Sequence, residues 1–220
     1  MKKTPNLSTS NSNDHKKAFL KIIIFIAIFL IINFQIGLKL EEVADKKDIY
    51  ATVKWKEFYE MPQNSIDLVF IGSSYAYRSF DPDIFDKELN VNSFNMGSPL
   101  QKPVESYYIL KETLKHQKPS LVVYDMNWGV FNEDKYFNTK LWNFDNMKFS
   151  PNKIRYLINV FDDDQYIPAV SKSARYHDDM NKLIKSLFNN SVPVSNQEHI
   201  NSYLQKYKGK GFIRNNDIVT

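Results

Sequence analysis

The chain has no cysteine among its 220 residues. This absence excludes disulfide scaffolds, thiol nucleophiles and zinc sites built on cysteine. Glycine is also rare, and its six residues exclude collagen-like and glycine-rich linker proteins. The sequence contains no P-loop, no G-x-G-x-x-G, no H-E-x-x-H and no G-x-S-x-G motif. We therefore expect no cofactor and no metal.

The net charge is small outside the N-terminus, because basic and acidic residues nearly balance. The formal net charge of +4 comes mainly from residues 1–17, which hold four lysines against one aspartate. The remaining chain is close to neutral, and no basic stripe lies on a segment predicted to fold, so we expect no nucleic-acid partner. Hydrophobic residues make up 43% of the chain, which is enough for one globular core.

Residues 18–40 form a long apolar segment, with an unbroken run from Ile22 to Ile32. A membrane-spanning helix needs about 20 mostly apolar residues. The segment reaches that length if Lys21 and Lys39 extend toward the two interfaces. A buried core helix is the alternative, but such helices are rarely apolar on every side over this length. No small-residue cleavage site follows, so the segment predicts an uncleaved transmembrane signal anchor that contacts the lipid bilayer.

The lysines before the anchor predict its orientation. By the positive-inside rule, residues 1–17 are a cytoplasmic disordered tail of a single-pass protein in the cell membrane. Residues 41–63 are then a juxtamembrane linker or helix, and the α/β domain of residues 64–220 lies outside the cell.

Three short apolar runs recur in that domain, at Ile66–Ile71, Val91–Met96 and Leu121–Met126. Helical patterns separate them, one opening at Asp81-Pro82 and one covering Pro103–His116. This alternation predicts an α/β fold with a parallel sheet and crossover helices, a flavodoxin-like three-layer domain.

The second half of the domain is less regular. Residues 131–149 carry aromatic residues without a clear period, which predicts a long loop packed on the domain. Ser150-Pro151 predicts the start of a helix that ends near Val160, and a further helical stretch is expected over residues 167–187.

Polar residues and glycines follow each predicted strand, where parallel sheets bind ligands. Ser74 follows the first strand, Gly97 the second and Asn127 the third. A serine hydroxyl, backbone N–H groups and an amide there can bind an acyl oxyanion. The alternative is that Ser74 caps a helix, Gly97 forms a turn and Asn127 caps a strand end.

The pattern resembles the SGNH (GDSL-like) hydrolase superfamily, in its membrane-anchored DltD-like and alginate O-acetylation-like branch. The resemblance rests on Val69–Ser74, Asn95–Gly97 and Asn127. It implies that Ser74 is the nucleophile, and that the Ser74 N–H, the Gly97 N–H and the Asn127 side chain hold the oxyanion. It further implies an O-acyl esterase or acyltransferase acting on a cell-envelope polysaccharide or teichoic-acid-like polymer, with a membrane acyl-transfer partner.

The family's general base is missing in its usual form. The nearest match to Asp-x-x-His ends at His199 and has Asn196 in place of the aspartate, and an amide does not stabilise imidazolium as a carboxylate does. His199 is the candidate base, with His177 as a second possibility. We expect the domain to be incomplete at its C-terminus. A truncated or non-catalytic scaffold in envelope assembly, and a flavodoxin-like domain holding an anion, are the rival hypotheses.

Overall fold

The structure is a computed structural model that describes residues 12–44, 49–131, 137–189 and 206–214. In chain order the α-helices of these ranges are α1 (Ser12–Ala44), α2 (Ile49–Glu60), α3 (Ser74–Ser79), α4 (Pro82–Leu89), α5 (Pro103–His116), α6 (Phe137–Phe144), α7 (Pro151–Val160), α8 (Tyr166–Val170), α9 (Lys172–Arg175) and α10 (Met180–Asn189). The strands are β1 (Leu68–Ile71), β2 (Ser93–Asn95), β3 (Leu121–Tyr124), β4 (Tyr207–Gly209) and β5 (Phe212–Ile213). Single 3₁₀ turns lie at Trp128–Phe131, Asp163–Gln165 and His177–Asp179.

Helix α1 extends beyond the predicted anchor at both ends. Its 33 residues correspond to a length of about 50 Å, whereas the hydrocarbon core of a bilayer is about 30 Å thick. No proline interrupts the sequence on either side of the apolar run, so the helix continues into the charged flanks. The helix is long and apolar enough to cross a membrane, as the sequence predicts. Its apolar side chains from Phe19 to Ile32 are exposed.

The sheet of the α/β domain is small and parallel, in the order β2-β1-β3. Leu68 of β1 lies opposite Ser93 of β2 and opposite Leu121 of β3. All four residues of β1 are buried, because this strand is central and its two faces are covered. The three strands occur where the sequence predicts them. The structure therefore confirms a mixed α/β fold with an N-terminal apolar helix and a three-stranded parallel sheet.

Local capping explains where the predicted helices begin. The Asp81 side chain accepts a hydrogen bond from the Asp83 N–H at 3.1 Å, and proline occupies the next position. The Ser150 hydroxyl accepts one from the Lys153 N–H at 3.2 Å and starts α7 in the same way. Helix α5 has the predicted bounds.

Two predictions for the second half are wrong. Residues 137–144 form α6 rather than a loop, with Leu141 and Phe144 in the core. The apolar residues alone do not show a helical period, because the buried face of α6 also includes the polar Lys140 and Asn143. Asn143 can be buried because it accepts a hydrogen bond from Trp55 Nε1 at 3.1 Å. Residues 167–187 are not one helix, because Ser171 adopts an extended conformation and caps α9.

The main core lies between the sheet and helices α2, α5, α6 and α7. Helix α2 contributes Trp55 and Phe58 to this core and is therefore packed into the domain. The hairpin β4–β5 packs on the free edge of β2, where the Asn95 N–H donates to the Lys210 carbonyl at 2.8 Å. The buried members of the core are Trp55, Phe58, Ile66, Val69, Ile71, Phe94, Met96, Tyr108, Ile109, Leu141, Phe144, Met147, Tyr156, Val160, Phe161 and Ala169.

Candidate functional site

The turn after β1 is fixed to the neighbouring strand by a carboxylate. The hydroxyl of Ser73 donates to Asp125 Oδ2 at 2.7 Å, and the Ser73 N–H donates to the same oxygen at 3.3 Å. The same hydroxyl accepts a hydrogen bond from the Tyr75 N–H at 3.3 Å and caps α3. Ser73 is therefore a buried structural serine whose hydrogen-bonding capacity is in use.

Gly72 makes this close approach possible. Its φ angle is +145°, and a Cβ at this position would lie 2.6 Å from the Cβ of Asp125. Only glycine combines this backbone conformation with such a short separation. The glycine in the Gly-Ser-Ser turn thus lets β3 bring Asp125 against the turn.

Ser74 differs from its neighbour. It is the first residue of α3 and is half-buried. Across the described ranges, no residue forms a hydrogen bond with its hydroxyl. The two adjacent serines therefore divide their roles, since Ser73 organises the turn and Ser74 keeps a hydroxyl available at the carboxyl end of the central strand.

Gly97 lies next to α3. A Cβ on Gly97 would lie 3.1 Å from the Ala76 Cβ and 3.2 Å from the Tyr77 nitrogen. The Gly97 N–H, however, donates to Asn95 Oδ1 at 3.0 Å. A role in binding an oxyanion would require this N–H to leave Asn95.

Asn127 forms a short turn at the end of β3. Its Oδ1 accepts a hydrogen bond from the Gly129 N–H at 2.7 Å, which is the capping geometry expected of a strand-end asparagine. The Asn127 side-chain nitrogen forms no hydrogen bond with a described residue. This is the group that the oxyanion hypothesis requires.

None of the described histidines is hydrogen-bonded to Ser74. His177 Nδ1 lies 2.7 Å from the Ala174 carbonyl oxygen, next to α1 rather than at the strand ends. The carbonyl of His116 accepts from the Asn64 N–H before β1, so His116 lies at the opposite, amino edge of the sheet. His199 lies outside the described residues, and its role as the base stays a prediction.

Asp125 is the site residue that sequence reasoning missed. The turn carries Ser73 at the position where the SGNH pattern that the sequence resembles has an aspartate, and Asp125 brings a carboxylate to that same turn from β3. An aspartate at the end of a strand is too common to be a signal by itself. The sequence signal that could have predicted this contact is the combination of Ser73 at the aspartate position of the motif with Asp125 at the end of the third strand.

One electrostatically perturbed group, Glu105, is buried in the core. Burial raises the pKa of Glu105 on α5 to about 7, although the Tyr156 hydroxyl donates to it at 2.9 Å and lowers the pKa again in part. This pair joins α5 to α7 inside the core, so its role is structural. Within the described ranges, no group of three acidic, histidine or cysteine side chains is placed to hold a metal ion.

A polar cavity of about 490 Å³ lies between α1, α2, α6 and α9. Its charged residues are paired with one another, Lys172 with Glu41 at 2.7 Å and Arg175 with Asp145 at 2.6 Å. Neither Ser74, Gly97 nor Asn127 lines it. The cavity is therefore separate from the predicted site.

No family model, no curated protein and no solved structure matches the chain.

Proposed function

We propose that this chain is a membrane-anchored, extracytoplasmic O-acyl esterase or acyltransferase of the SGNH type, with Ser74 as the nucleophile. The observation that carries the proposal is the contrast between the two serines of the turn. Ser73 uses its hydroxyl for the helix cap and for Asp125, whereas the Ser74 hydroxyl has no hydrogen-bond partner among the described residues. A nucleophile must be held in place by its surroundings and still be free to react.

The chemistry follows from that placement. Ser74 Oγ forms a bond to the acyl carbonyl carbon, and its proton passes to His199, the candidate base. The Ser74 N–H and the Asn127 amide nitrogen stabilise the oxyanion, with the Gly97 N–H once it is released from Asn95. The alcohol of the donor leaves with the proton from His199. Water or a hydroxyl of the acceptor then takes the acyl group from Ser74.

The anchor supplies the location of the substrate. Helix α1 crosses the membrane with its lysine-rich end inside the cell, so the domain faces the envelope. A cell-envelope polysaccharide or teichoic-acid-like polymer is the acceptor or substrate, and a membrane protein that carries acyl groups is the donor partner.

Labelling with a fluorophosphonate probe tests the nucleophile in the detergent-purified full chain. We expect the unsubstituted chain and Ser79→Ala to be labelled and Ser74→Ala to remain unlabelled, since Ser79 is an exposed serine on the same helix. His199→Ala should label at least about tenfold more slowly, because the base is lost. Equal labelling of Ser74→Ala and Ser79→Ala would show that Ser74 is not the nucleophile.

A non-catalytic scaffold is the second candidate, and one observation favours it. The Gly97 N–H and the Asn127 Oδ1 are held by local hydrogen bonds, so these strand ends are partly satisfied without a ligand. A folded chain that no fluorophosphonate labels would support this candidate.

A further inference from the structure

Near residues 33–37, one face of α1 packs against another part of the protein, whereas apolar side chains on its other faces are exposed. Asn33 and Gly37 face the segment of residues 166–175, which comprises α8 and α9 and which we call the collar. Phe34 and Ile36, on the same turn of α1, remain 61% and 37% exposed. Consecutive residues of a helix differ by only about 1.5 Å in height. The collar therefore lies at the level of apolar side chains that a bilayer would cover.

The side-chain oxygen of Asn33, one of two polar residues in the last apolar turns of α1 together with the exposed Gln35, is paired with the collar. Asn33 Oδ1 accepts a hydrogen bond from Ser173 Oγ at 2.9 Å, and Ser171 Oγ lies at 3.4 Å. A polar group in hydrocarbon is costly unless another protein group pairs with it. The two serines thus lower the cost of placing the Asn33 side-chain oxygen within lipid.

The side chain of Lys172 indicates where along α1 the lipid–water interface lies. Its Cβ packs against Gly37, where an added Cβ would come within 3.0 Å, and its ammonium group reaches Glu41 one turn further along α1 at 2.7 Å. An aliphatic stem in an apolar zone with the charge directed away from it is the snorkelling geometry of membrane interfaces. The interface then lies between Gly37 and Glu41.

The outer side of the collar is apolar. Ile167 and Val170, one turn apart on α8, are 69% and 63% exposed. Val170 directly precedes Ser171 and so lies close to the height of Asn33. A mainly apolar cavity of about 330 Å³ opens beside it, and Phe149 in its wall is 86% exposed. Val170, Ile154, Phe149 and three further apolar residues line it, together with the charged Asp145, Lys153, Lys172 and Arg175.

We infer that the collar lies in the lipid–water interface beside α1, with Ile167 and Val170 in contact with acyl chains and the apolar cavity holding part of one lipid chain. This inference rests on the membrane anchor of the proposed function. We infer lipid rather than a protein partner because the collar is attached to α1. The hydrogen bonds to Asn33 hold the collar at the same position along the helix axis as the exposed Phe34. Interfacial segments of this kind bury apolar side chains about 5–10 Å into the headgroup region.

The chain has no cysteine, so single substitutions place one fluorescent label at a chosen depth. We would label Val170→Cys, Phe149→Cys, Ile31→Cys and Leu89→Cys with a nitrobenzoxadiazole probe. The full chain is reconstituted in phosphatidylcholine–phosphatidylglycerol vesicles that contain doxyl-labelled phosphatidylcholine. Leu89 is the matched control, because it is 57% exposed on α4, which packs on β2.

We expect the labels at Val170 and Phe149 to be quenched several-fold more strongly than the label at Leu89, with Ile31 quenched as well. Quenching at Ile31 together with equal weak quenching at Val170 and Leu89 would overturn the inference and leave the anchor intact. Absence of quenching at Ile31 would overturn both. A second copy of the chain could instead cover Val170. Cross-links between Val170→Cys chains that disappear on dilution would show this and would also overturn the inference.

A second measurement needs no substitution. Illumination of the unsubstituted chain in vesicles with diazirine-labelled phosphatidylcholine should cross-link lipid to peptides that contain residues 149–170. Cross-linking restricted to peptides of α1 would contradict the acyl-chain site.

Discussion

The carboxyl edge of the sheet and the collar on α1 both bring polar side chains together, but their surroundings differ. At the sheet edge, Ser73 and Asp125 are paired within a turn that joins two neighbouring strands. At the collar, Asn33 and Ser173 are paired beside exposed apolar side chains such as Val170. Polar pairs at the sheet edge hold the backbone in shape, whereas the pair at the collar removes polarity from an exposed apolar surface.

The comparison also shows where function is to be sought. A group whose state the local structure does not explain is informative. At the sheet edge this group is the Ser74 hydroxyl, which its own turn does not use. At the collar it is the exposed pair Ile167 and Val170, which no described part of the protein covers.

Of the changes at the sheet edge, we expect replacement of Gly72 to lower the free energy of unfolding the most. Gly72→Ala forces a side chain into φ +145° and within 2.6 Å of the Asp125 Cβ, and we expect the free energy of unfolding to fall by about 3 kcal/mol. Denaturant unfolding measures this change. Gly129→Ala is the control, since among the described residues its added Cβ would meet only the Asn127 Oδ1, at 3.1 Å. Equal losses for the two variants would contradict the role of Gly72.

A rise in pH should loosen the core beside the sheet and leave the collar in place. The pKa of Glu105 is raised from 4.5 to about 7, so the folded state keeps a proton that the unfolded chain has lost. Stability therefore falls as pH rises from about 4.5 to about 7, by up to about 3 kcal/mol, and is level above that range.

Glu105→Gln tests this dependence. Glutamine resembles the protonated acid and still accepts from the Tyr156 hydroxyl, so the variant should be more stable than the unsubstituted chain at pH 8 and equal to it near pH 4. Thermal unfolding across this range, with hydrogen exchange of residues 166–175, is the measurement. Parallel pH profiles for the two chains would show that Glu105 does not carry the effect.

The smallest effect separates the two serines. Ser73→Ala removes a helix cap and the hydrogen bond to Asp125, and should lower the free energy of unfolding by about 1–2 kcal/mol. Ser74→Ala removes no hydrogen bond to a described residue and should cost less than about 0.5 kcal/mol. Urea unfolding of both variants checks the difference. A similar cost for both would mean that Ser74 is structural.

Much of the fold could be read from local patterns. The helix starts at Pro82 and Pro151, the bounds of α5 and the three strands all follow from short-range capping and periodicity. Helix α6 was missed because its period depends on Asn143, whose burial is decided by the distant Trp55. The break at Ser171 was missed because it serves a contact with α1 and has no proline or glycine to mark it.

The candidate site divides in the same way. Ser74, Gly97 and Asn127 could be placed at strand ends, because each follows a recognisable apolar run. The partner of Ser73 could not be found so easily, since Asp125 reaches it only through the register of β1 and β3. Similarly, the hydrogen bond from the Gly97 N–H to Asn95 Oδ1 depends on the side-chain conformation of Asn95, which the motif does not specify.

By itself the sequence determined the apolar helix and the strand–helix alternation, because hydrophobic periodicity and end caps act over a few residues. Only the tertiary structure decided that Ser73 binds Asp125 and that Asn33 binds Ser173, because these pairs are far apart in the chain and depend on packing. The length of α1 made a membrane span possible. The fold decided which of its turns face the collar, and a Cβ on Gly37 would lie 2.9 Å from the Ser173 nitrogen of α9.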